Sequence, residues 1–366
     1  MLASAAAVIA GCTPSQSASH RDRSHSSSST PAVGPSSGGP APTRTTTPKP
    51  PVHHGRYTIA FAGDVNFSGR LAPRLAHDPR TVFGAAARQL RPADLTMVNL
   101  ETAITTGGVR QNKEFTFHAP PVALTALRDA GIDVATMANN HGADYGTSGL
   151  RDTLRAIRTE HFPVIGVGKN AHAAFAPYRT TLDGTKVAII AADQVQDETT
   201  LSLYSAGPHK IGVANAYQSR LVDAVRAARR AGYVVVVYVH WGIEFQTCPS
   251  GDQTGLANRL AAAGASAVIG THAHVLQGAG WLPNGTYVEY GLGNYLWWLS
   301  IGNDQDDNGV LTLSFSHRKV VGAHFAPSHL DQRGIPMPAR GAERQRIMTE
   351  WRNDRSCTDL SSHPPK

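Results

Sequence analysis

The 366-residue sequence predicts an α/β domain running from Tyr57 to about Pro327. Three features carry that expectation. Short apolar runs, partly β-branched, recur at strand length. Patterns of helical period lie between them, and strands alternating with helices favour a mixed sheet over an all-α or all-β domain. Residues able to hold a metal follow five of the runs directly, at the strand ends where open α/β sheets build their sites. A span of this length can bury a substantial core, and no internal repeat divides it.

In chain order the strand-like runs are Tyr57 to Ala62, Leu95 to Val98, Val134 to Met137, Lys186 to Ala192, Val234 to Val239 and Ala267 to Ile269. Thr286 to Tyr290, Val310 to Phe315 and Val320 to Phe325 follow, separated by turn residues such as Asn284-Gly285. Helical patterns cover Leu124 to Ala130, Ser148 to Arg158, Tyr217 to Ala231 and Thr254 to Ala263. In the third, Leu221, Val222, Val225 and Ala228 share one stripe, and the arginines lie largely off it. Gly131, Gly232 and Gly264 stand where helices should stop. Residues 328–366 read as a C-terminal tail.

Residues 13–56 are dominated by Ser, Thr, Pro and Gly and hold almost no large apolar side chain. They cannot bury enough surface to offset chain entropy and read as a disordered stalk. Before them, MLASAAAVIAGC is small and apolar and is followed at once by Thr13, Pro14 and Ser15. That resembles a bacterial lipobox, with residues 1–12 as a lipoprotein signal peptide and Cys12 as the lipidated residue. No Lys or Arg opens the run as in an ordinary secretory signal, which leaves room for a start upstream of Met1. The bland alternative is an incidental Cys at an apolar terminus. So short a run does not span a bilayer as a helix. The expectation is an extracytoplasmic protein anchored to the bacterial cell membrane through an N-terminal lipid. With Cys12 assigned to lipid, Cys248 and Cys357 allow one disulfide that ties the tail to the domain, or remain two free thiols.

Charge argues against nucleic acid as a partner. Of the net +7, Arg21, Arg23, Arg44, Lys49 and Arg56 against Asp22 place +4 on the stalk and leave +3 elsewhere. No dense Lys/Arg run with interleaved aromatics is present.

The ligand-type residues fall in a set order. Gly63-Asp64 follows Ala62, Asn99-Leu100-Glu101 follows Val98, Asn139-Asn140-His141 closes the third run, His240 follows Val239, and His272-Ala273-His274 lies just beyond Ile269. Carboxylate, amide and imidazole form a mixed oxygen and nitrogen set suited to Zn, Mn or Fe. Each piece alone has an ordinary explanation. Asp64 can be a turn residue, Asn140 can bridge a loop, and His240 beside Trp241 can be a satisfied core histidine. Five ordinary explanations would have to coincide.

The segments FAGDVNFSGR, VNLETAIT, ATMANNHGADYG, VYVHWGIEF, VIGTHAHVLQG and VEYGLGNYLW, in that order, resemble the CapA family of poly-gamma-glutamate capsule biosynthesis proteins. That family is related to the calcineurin-like metallophosphoesterases, so the resemblance implies their layered αββα sandwich. It also implies one or two divalent ions. Asp64 and His274 would belong to a first metal, Glu101 would bridge, and Asn140, His240 and His272 would hold a second. His141 would be the acid that protonates a leaving group. Asn66, Asp144, Trp241, Glu244 and Asn294 lie in the same motifs and would orient ligands or substrate, and Arg70 and Lys113 are candidate anchors for an anionic substrate. Two positions depart from the pattern. Phosphoesterases carry His two residues after the first Asp, where this chain has Asn66, a poorer ligand that weakens the first metal site. Ala273 stands where relatives often have Pro.

By this resemblance the protein would act on an anionic envelope polymer such as poly-gamma-glutamate, through metal-dependent hydrolysis or transfer at a gamma-glutamyl amide. Other capsule-synthesis membrane proteins would be its further partners. The alternatives are a non-catalytic polymer-binding or export component whose metal site is structural, and a generic phosphoesterase, which Asn66 disfavours.

Overall fold

The computed structural model describes residues 55–195, 201 and 203–366. The expected signal peptide, Cys12 and nearly all of the stalk lie outside the described residues. Two large sheets form the centre. The first orders its strands as Pro336–Pro338, Lys319–Leu330, Asp307–Ser316, Arg56–Val65, Leu95–Leu100, Val134–Thr136 and Val164–Ile165, with Asn294–Leu296 joined to the end of Arg56–Val65. The second runs Ala279–Trp281, Tyr287–Glu289, Ala267–His272, Val234–Trp241, Thr185–Asp193 and Tyr178–Leu182. Arg56–Val65 pairs in parallel with Leu95–Leu100, and Val234–Trp241 with Ala267–His272, while Asp307–Ser316 on the far side of Arg56–Val65 and Tyr178–Leu182 at the edge of the second sheet pair antiparallel.

Strand alternation explains the layering. Ile59 and Phe61 face one way and meet Val236, Tyr238 and Ile269 of the second sheet in a shared core. Their neighbours Ala60 and Ala62 face the opposite way, onto Leu71, Leu124, Leu127 and Leu150 from helices. Val235, Val237 and Val239 likewise turn outward onto Leu221, Val225, Leu256 and Leu260 of helices Arg220–Arg230 and Gly251–Ala263. The result is an αββα sandwich. VVVVYV is apolar throughout because both faces of its strand are covered.

Helices Val122–Ala130 and Gly251–Ala263 end at Gly131 and Gly264, both in the left-handed conformation expected of such stops. The third helix begins at Arg220 rather than Tyr217, because Asn215 Oδ1 accepts the Tyr217 N–H and holds the chain in a turn. No helix among the described residues is long and apolar enough to cross a membrane.

The domain does not stop at Pro327, which lies inside the strand Lys319–Leu330. Beyond it, helix Gly341–Asn353 buries Ile347, Met348 and Trp351 in the core between the sheets, and Trp351 stacks on Phe325 at 4.8 Å. Trp351 Nε1 donates to the buried Glu289 Oε2 at 3.3 Å. Cys248 and Cys357 are joined in a disulfide across 109 residues of sequence. Residues 328–366 are therefore part of the sandwich, not an appendage. Trp351→Ala should cost about 3–5 kcal/mol, as for other buried aromatic truncations, measured by urea denaturation. A loss near zero would return the segment to the status of a tail.

Candidate metal centre

The site is assembled at the carboxyl ends of parallel strands drawn from both sheets. Asp64 is the penultimate residue of the strand Arg56–Val65, where Gly63 permits an approach no other residue could. A Cβ there would lie 1.9 Å from the Gly293 carbonyl oxygen. That closeness lets Asp64 N–H donate to Gly293 C=O at 3.0 Å and sets Asp64 opposite Asn294 in register. Leu95–Leu100 delivers Asn99 and Glu101, Val234–Trp241 delivers His240, and Ala267–His272 ends on His272 itself.

All seven residues of the sequence-derived set converge and all are buried. The Asn99 amide is the hub. Its Nδ2 lies 2.7 Å from Asp64 Oδ1, 3.3 Å from Glu101 Oε2 and 3.2 Å from His240 Nδ1. His240 Nε2 meets Asn140 Oδ1 at 3.0 Å, and His240 Nδ1 also meets Thr271 Oγ1 at 3.1 Å. His274 Nδ1 lies 2.8 Å from Asn294 Oδ1 and 3.5 Å from Asp64 Oδ2. Among the described residues two proximity groups result, Asp64 with Glu101 and His240, and His272 with His274 and Glu244, each with its ligand atoms within 4.8 Å of one another. The sequence reading places Asp64 with His274 on a first metal, Asn140, His240 and His272 on a second, and Glu101 between them; the 3.5 Å approach of His274 to Asp64 accords with the first of these groupings.

These residues fit a divalent cation on the chemistry of what is left unpaired. Glu101 Oε1 and His272 Nδ1 are buried without a hydrogen-bond partner. Orphans of that kind are costly unless something else, such as an ion, satisfies them. Burial pushes the Glu101 carboxyl well up, and the nearby Asp64 charge adds to it. Burial likewise drives His240 and His272 well below the usual imidazole range, helped by the charges of neighbouring histidines. Neutral imidazole is the form that ligates.

His141 is built differently. Its Nδ1 lies 2.7 Å from Asp144 Oδ2, and its Nε2 faces Glu101 Oε1 at 3.8 Å. Asp144 is itself held by the Phe117 N–H at 2.7 Å and Lys113 Nζ at 3.0 Å, while Lys113 also donates to Asn140 C=O at 2.7 Å. Burial lowers the His141 pKa, opposed by the hydrogen bond to Asp144. Phe117, Trp297 and Trp298 pack together along this side, with Phe117 4.5 Å from the His141 ring and Trp297 4.8 Å from His274.

Other candidates sit elsewhere. Trp241 is fully buried, stacks on Tyr290 and donates Nε1 to the Tyr290 carbonyl at 2.8 Å, so it belongs to the core beneath the site rather than to substrate. Arg70 is exposed and donates to Gln332 C=O. Asn66 turns both polar atoms to the backbone, Nδ2 to Glu101 C=O at 3.0 Å and Oδ1 from the Ser68 N–H at 2.8 Å. From sequence, Asn99 and Asn139 are named only within the ligand clusters and given no role, and Thr271 is not named. Asn139 Nδ2 donates to Asn99 Oδ1 at 2.8 Å and fixes which face of that amide looks at the carboxylates. The available signal for Asn99 was its spacing of two from Glu101 at a strand end, which puts both on one face.

Residues 58–297 match the family described as bacterial capsule synthesis protein PGA_cap. Among similar proteins, the PGA biosynthesis protein CapA of Bacillus subtilis (strain 168) is 26% identical over 244 residues, 65% of this chain and 63% of that one. The capsule biosynthesis protein CapA of Bacillus anthracis is 25% identical over 256 residues, 67% of this chain and 62% of that one. The chain thus spans under two thirds of the length of either relative. A hypothetical protein from Thermus thermophilus is similar in structure, with a TM-score of 0.46 and 18% identity over 74% of this chain and 98% of its own.

Two outcomes test the geometry. Asn66→Ala should destabilise the protein by about 1–3 kcal/mol, the cost of stripping a buried carbonyl of its donor, while metal content by elemental analysis stays unchanged. Falling metal content would make position 66 a ligand after all. His240 has a folded pKa below its unfolded value near 6.5, so the unfolded chain binds the extra proton first and stability drops as pH falls through that value. In urea melts at about pH 7.5 and about pH 5.5, metal-free His240→Asn should therefore lose less stability than the metal-free parent. Equal losses would show that His240 is not held neutral.

Proposed function

The chain belongs to the bacterial capsule synthesis protein PGA_cap family, and from that premise we propose that it is a metal-dependent hydrolase or transferase acting at gamma-glutamyl amides of an anionic envelope polymer. The observation that carries the reading is the meeting of buried, unpaired ligand atoms on Glu101 and His272 with an imidazole, His141, oriented for proton transfer. Glu101, Asn140, His240 and His272, with Asp64 and His274, would hold the divalent ion or ions. Such an ion supplies Lewis-acid polarisation and acidifies water at neutral pH. The remaining work falls to the protein's own side chains.

Asp144, fixed by the Phe117 amide and Lys113, accepts from His141 Nδ1 and so presents Nε2 toward the centre. From there the neutral ring can take a proton on Nε2 from the attacking water and, as imidazolium, pass that proton to the departing amine. The aromatic wall of Phe117, Trp297 and Trp298 keeps one side of the site dry and offers an apolar face to the methylenes of a gamma-linked chain. Lys113, part-buried beside Asp144, places positive charge next to His141. The names of the relatives, which speak of PGA and capsule biosynthesis, support the polymer class. We further propose that the protein works outside the cytoplasm, held to the membrane by lipid on Cys12; acyl labelling lost in Cys12→Ala would support that anchor.

Metal-loaded protein incubated with poly-gamma-glutamate should release new amino termini. Chelation should stop the release, and His141→Ala should slow it by about 10²–10⁴-fold, the usual contribution of a general acid. Undiminished release in both cases would sink the hydrolytic reading. Polymer binding without turnover, persisting in His141→Ala, would instead mark an assembly component.

A further inference from the structure

Asn66 leaves the centre one ligand short of the phosphoesterase pattern, and its amide is committed to the Glu101 carbonyl and the Ser68 N–H. Something else can stand there. We infer that Glu244, on the loop after the strand Val234–Trp241, is a metal ligand that takes over the role missing at position 66. The inference rests on the metal-centre reading above and extends it to a residue that the motif pattern would leave to orientation or substrate.

Four observations support it. The ligand atoms of Glu244, His272 and His274 all lie within 4.8 Å of one another. His272 Nδ1, in a side chain only 4% exposed, has no hydrogen-bond partner. The loop is tied to the histidine segment by the Phe245 N–H, which donates to Ala273 C=O at 2.7 Å, and the Phe245 ring lies 6.2 Å from that of His274. Finally, Phe245, His272 and His274 all have left-handed backbones, with φ of 66°, 95° and 57°. Non-glycine residues in such conformations cost on the order of 1–3 kcal/mol each and persist where surrounding structure enforces them. Three of them in two mutually hydrogen-bonded segments aim one carboxylate and two imidazoles at a common point.

The substitution changes the chemistry of the centre. Position 66 in phosphoesterases would contribute a nitrogen; Glu244 contributes oxygen beside Asp64 and Glu101. A centre enriched in carboxylate favours Mn²⁺ over Zn²⁺ more than its nitrogen-rich counterpart does. Because Glu244 is exposed, its removal leaves no buried orphan behind.

The test uses the full chain without a His tag, stripped with chelator and equilibrated with Mn²⁺, comparing the parent with Glu244→Gln. Mn²⁺ bound per chain and its affinity are read by equilibrium dialysis with elemental analysis and by electron paramagnetic resonance of free Mn²⁺. Glu244→Gln should weaken Mn²⁺ binding by more than the roughly 10–100-fold that loss of an outer-sphere partner causes, while the metal-free melting temperature stays put; a smaller loss would make Glu244 an outer-sphere partner and overturn its role as a ligand. Unchanged affinity and stoichiometry in Glu244→Gln, with a parent that binds Mn²⁺, would overturn the role of Glu244 and leave the metal centre standing. A parent that binds no Mn²⁺, Fe²⁺ or Zn²⁺ would remove the centre and the inference together.

Discussion

Two buried carboxylates, Asp64 and Glu101, share one amide, Asn99, and most of the site's architecture answers to that crowding. Like charges placed together at low dielectric repel, and burial alone already pushes Glu101 toward its neutral form. The Asn99 amide eases the problem by donating to both, but it cannot supply a positive charge. His240 and His272 could, were they not themselves driven neutral by burial and by the charges of neighbouring histidines, and only His274 is, against burial, held up by Asp64. A cluster in which Glu101 is pushed up while His240 and His272 are pushed down is poorly satisfied by protons alone. A divalent ion reverses both tendencies at once, since it favours carboxylate and neutral imidazole together.

That demand reaches into the scaffold. The carboxylates come from the first sheet and His240 and His272 from the second, so the site holds only while the two sheets keep their register. The inter-sheet core of Phe61, Tyr238 and Ile269 lies directly behind it, and Tyr238 Oη donates to Ala62 C=O at 2.6 Å, a polar tie between the sheets two residues before Asp64. The C-terminal helix belongs to the same arrangement, because Trp351 fills the space between the sheets at Phe325.

Much of this was legible from sequence because buried parallel strands have few ways to look. VVVVYV and YTIAFA advertise themselves by composition, and the ligand residues fall just past their ends. The helix Gly341–Asn353 was not legible for an equally physical reason. Only Ile347, Met348 and Trp351 of its thirteen residues are buried, too few to set a helical stripe apart from a polar tail. Trp241 misled because it adjoins a candidate ligand, yet alternation along a strand sends neighbours to opposite faces, so His240 in the site requires Trp241 in the core. Asn66 was readable as a poor ligand but not as a backbone clamp, since its partners, Glu101 C=O and Ser68 N–H, become neighbours only once the strands are paired.

The left-handed histidines explain why the fold tolerates so demanding a centre. A strand that ran on regularly past Ile269 would send successive side chains to opposite faces, and His272 and His274 would occupy one face at full strand spacing. The turn at His272 brings them together instead, with ring centroids 5.6 Å apart, and Asp64 Oδ2 accepts the His272 N–H at 3.3 Å within that turn. The carboxylate that would ligate metal thus also holds the backbone in the conformation that positions the other ligands. Neutralising Asp64 would loosen both functions, so the geometry of the histidines and the charge state of the carboxylates are coupled. Ion binding and local backbone order should therefore rise and fall as one equilibrium, with the strain of the turn drawn down against the ion's binding energy.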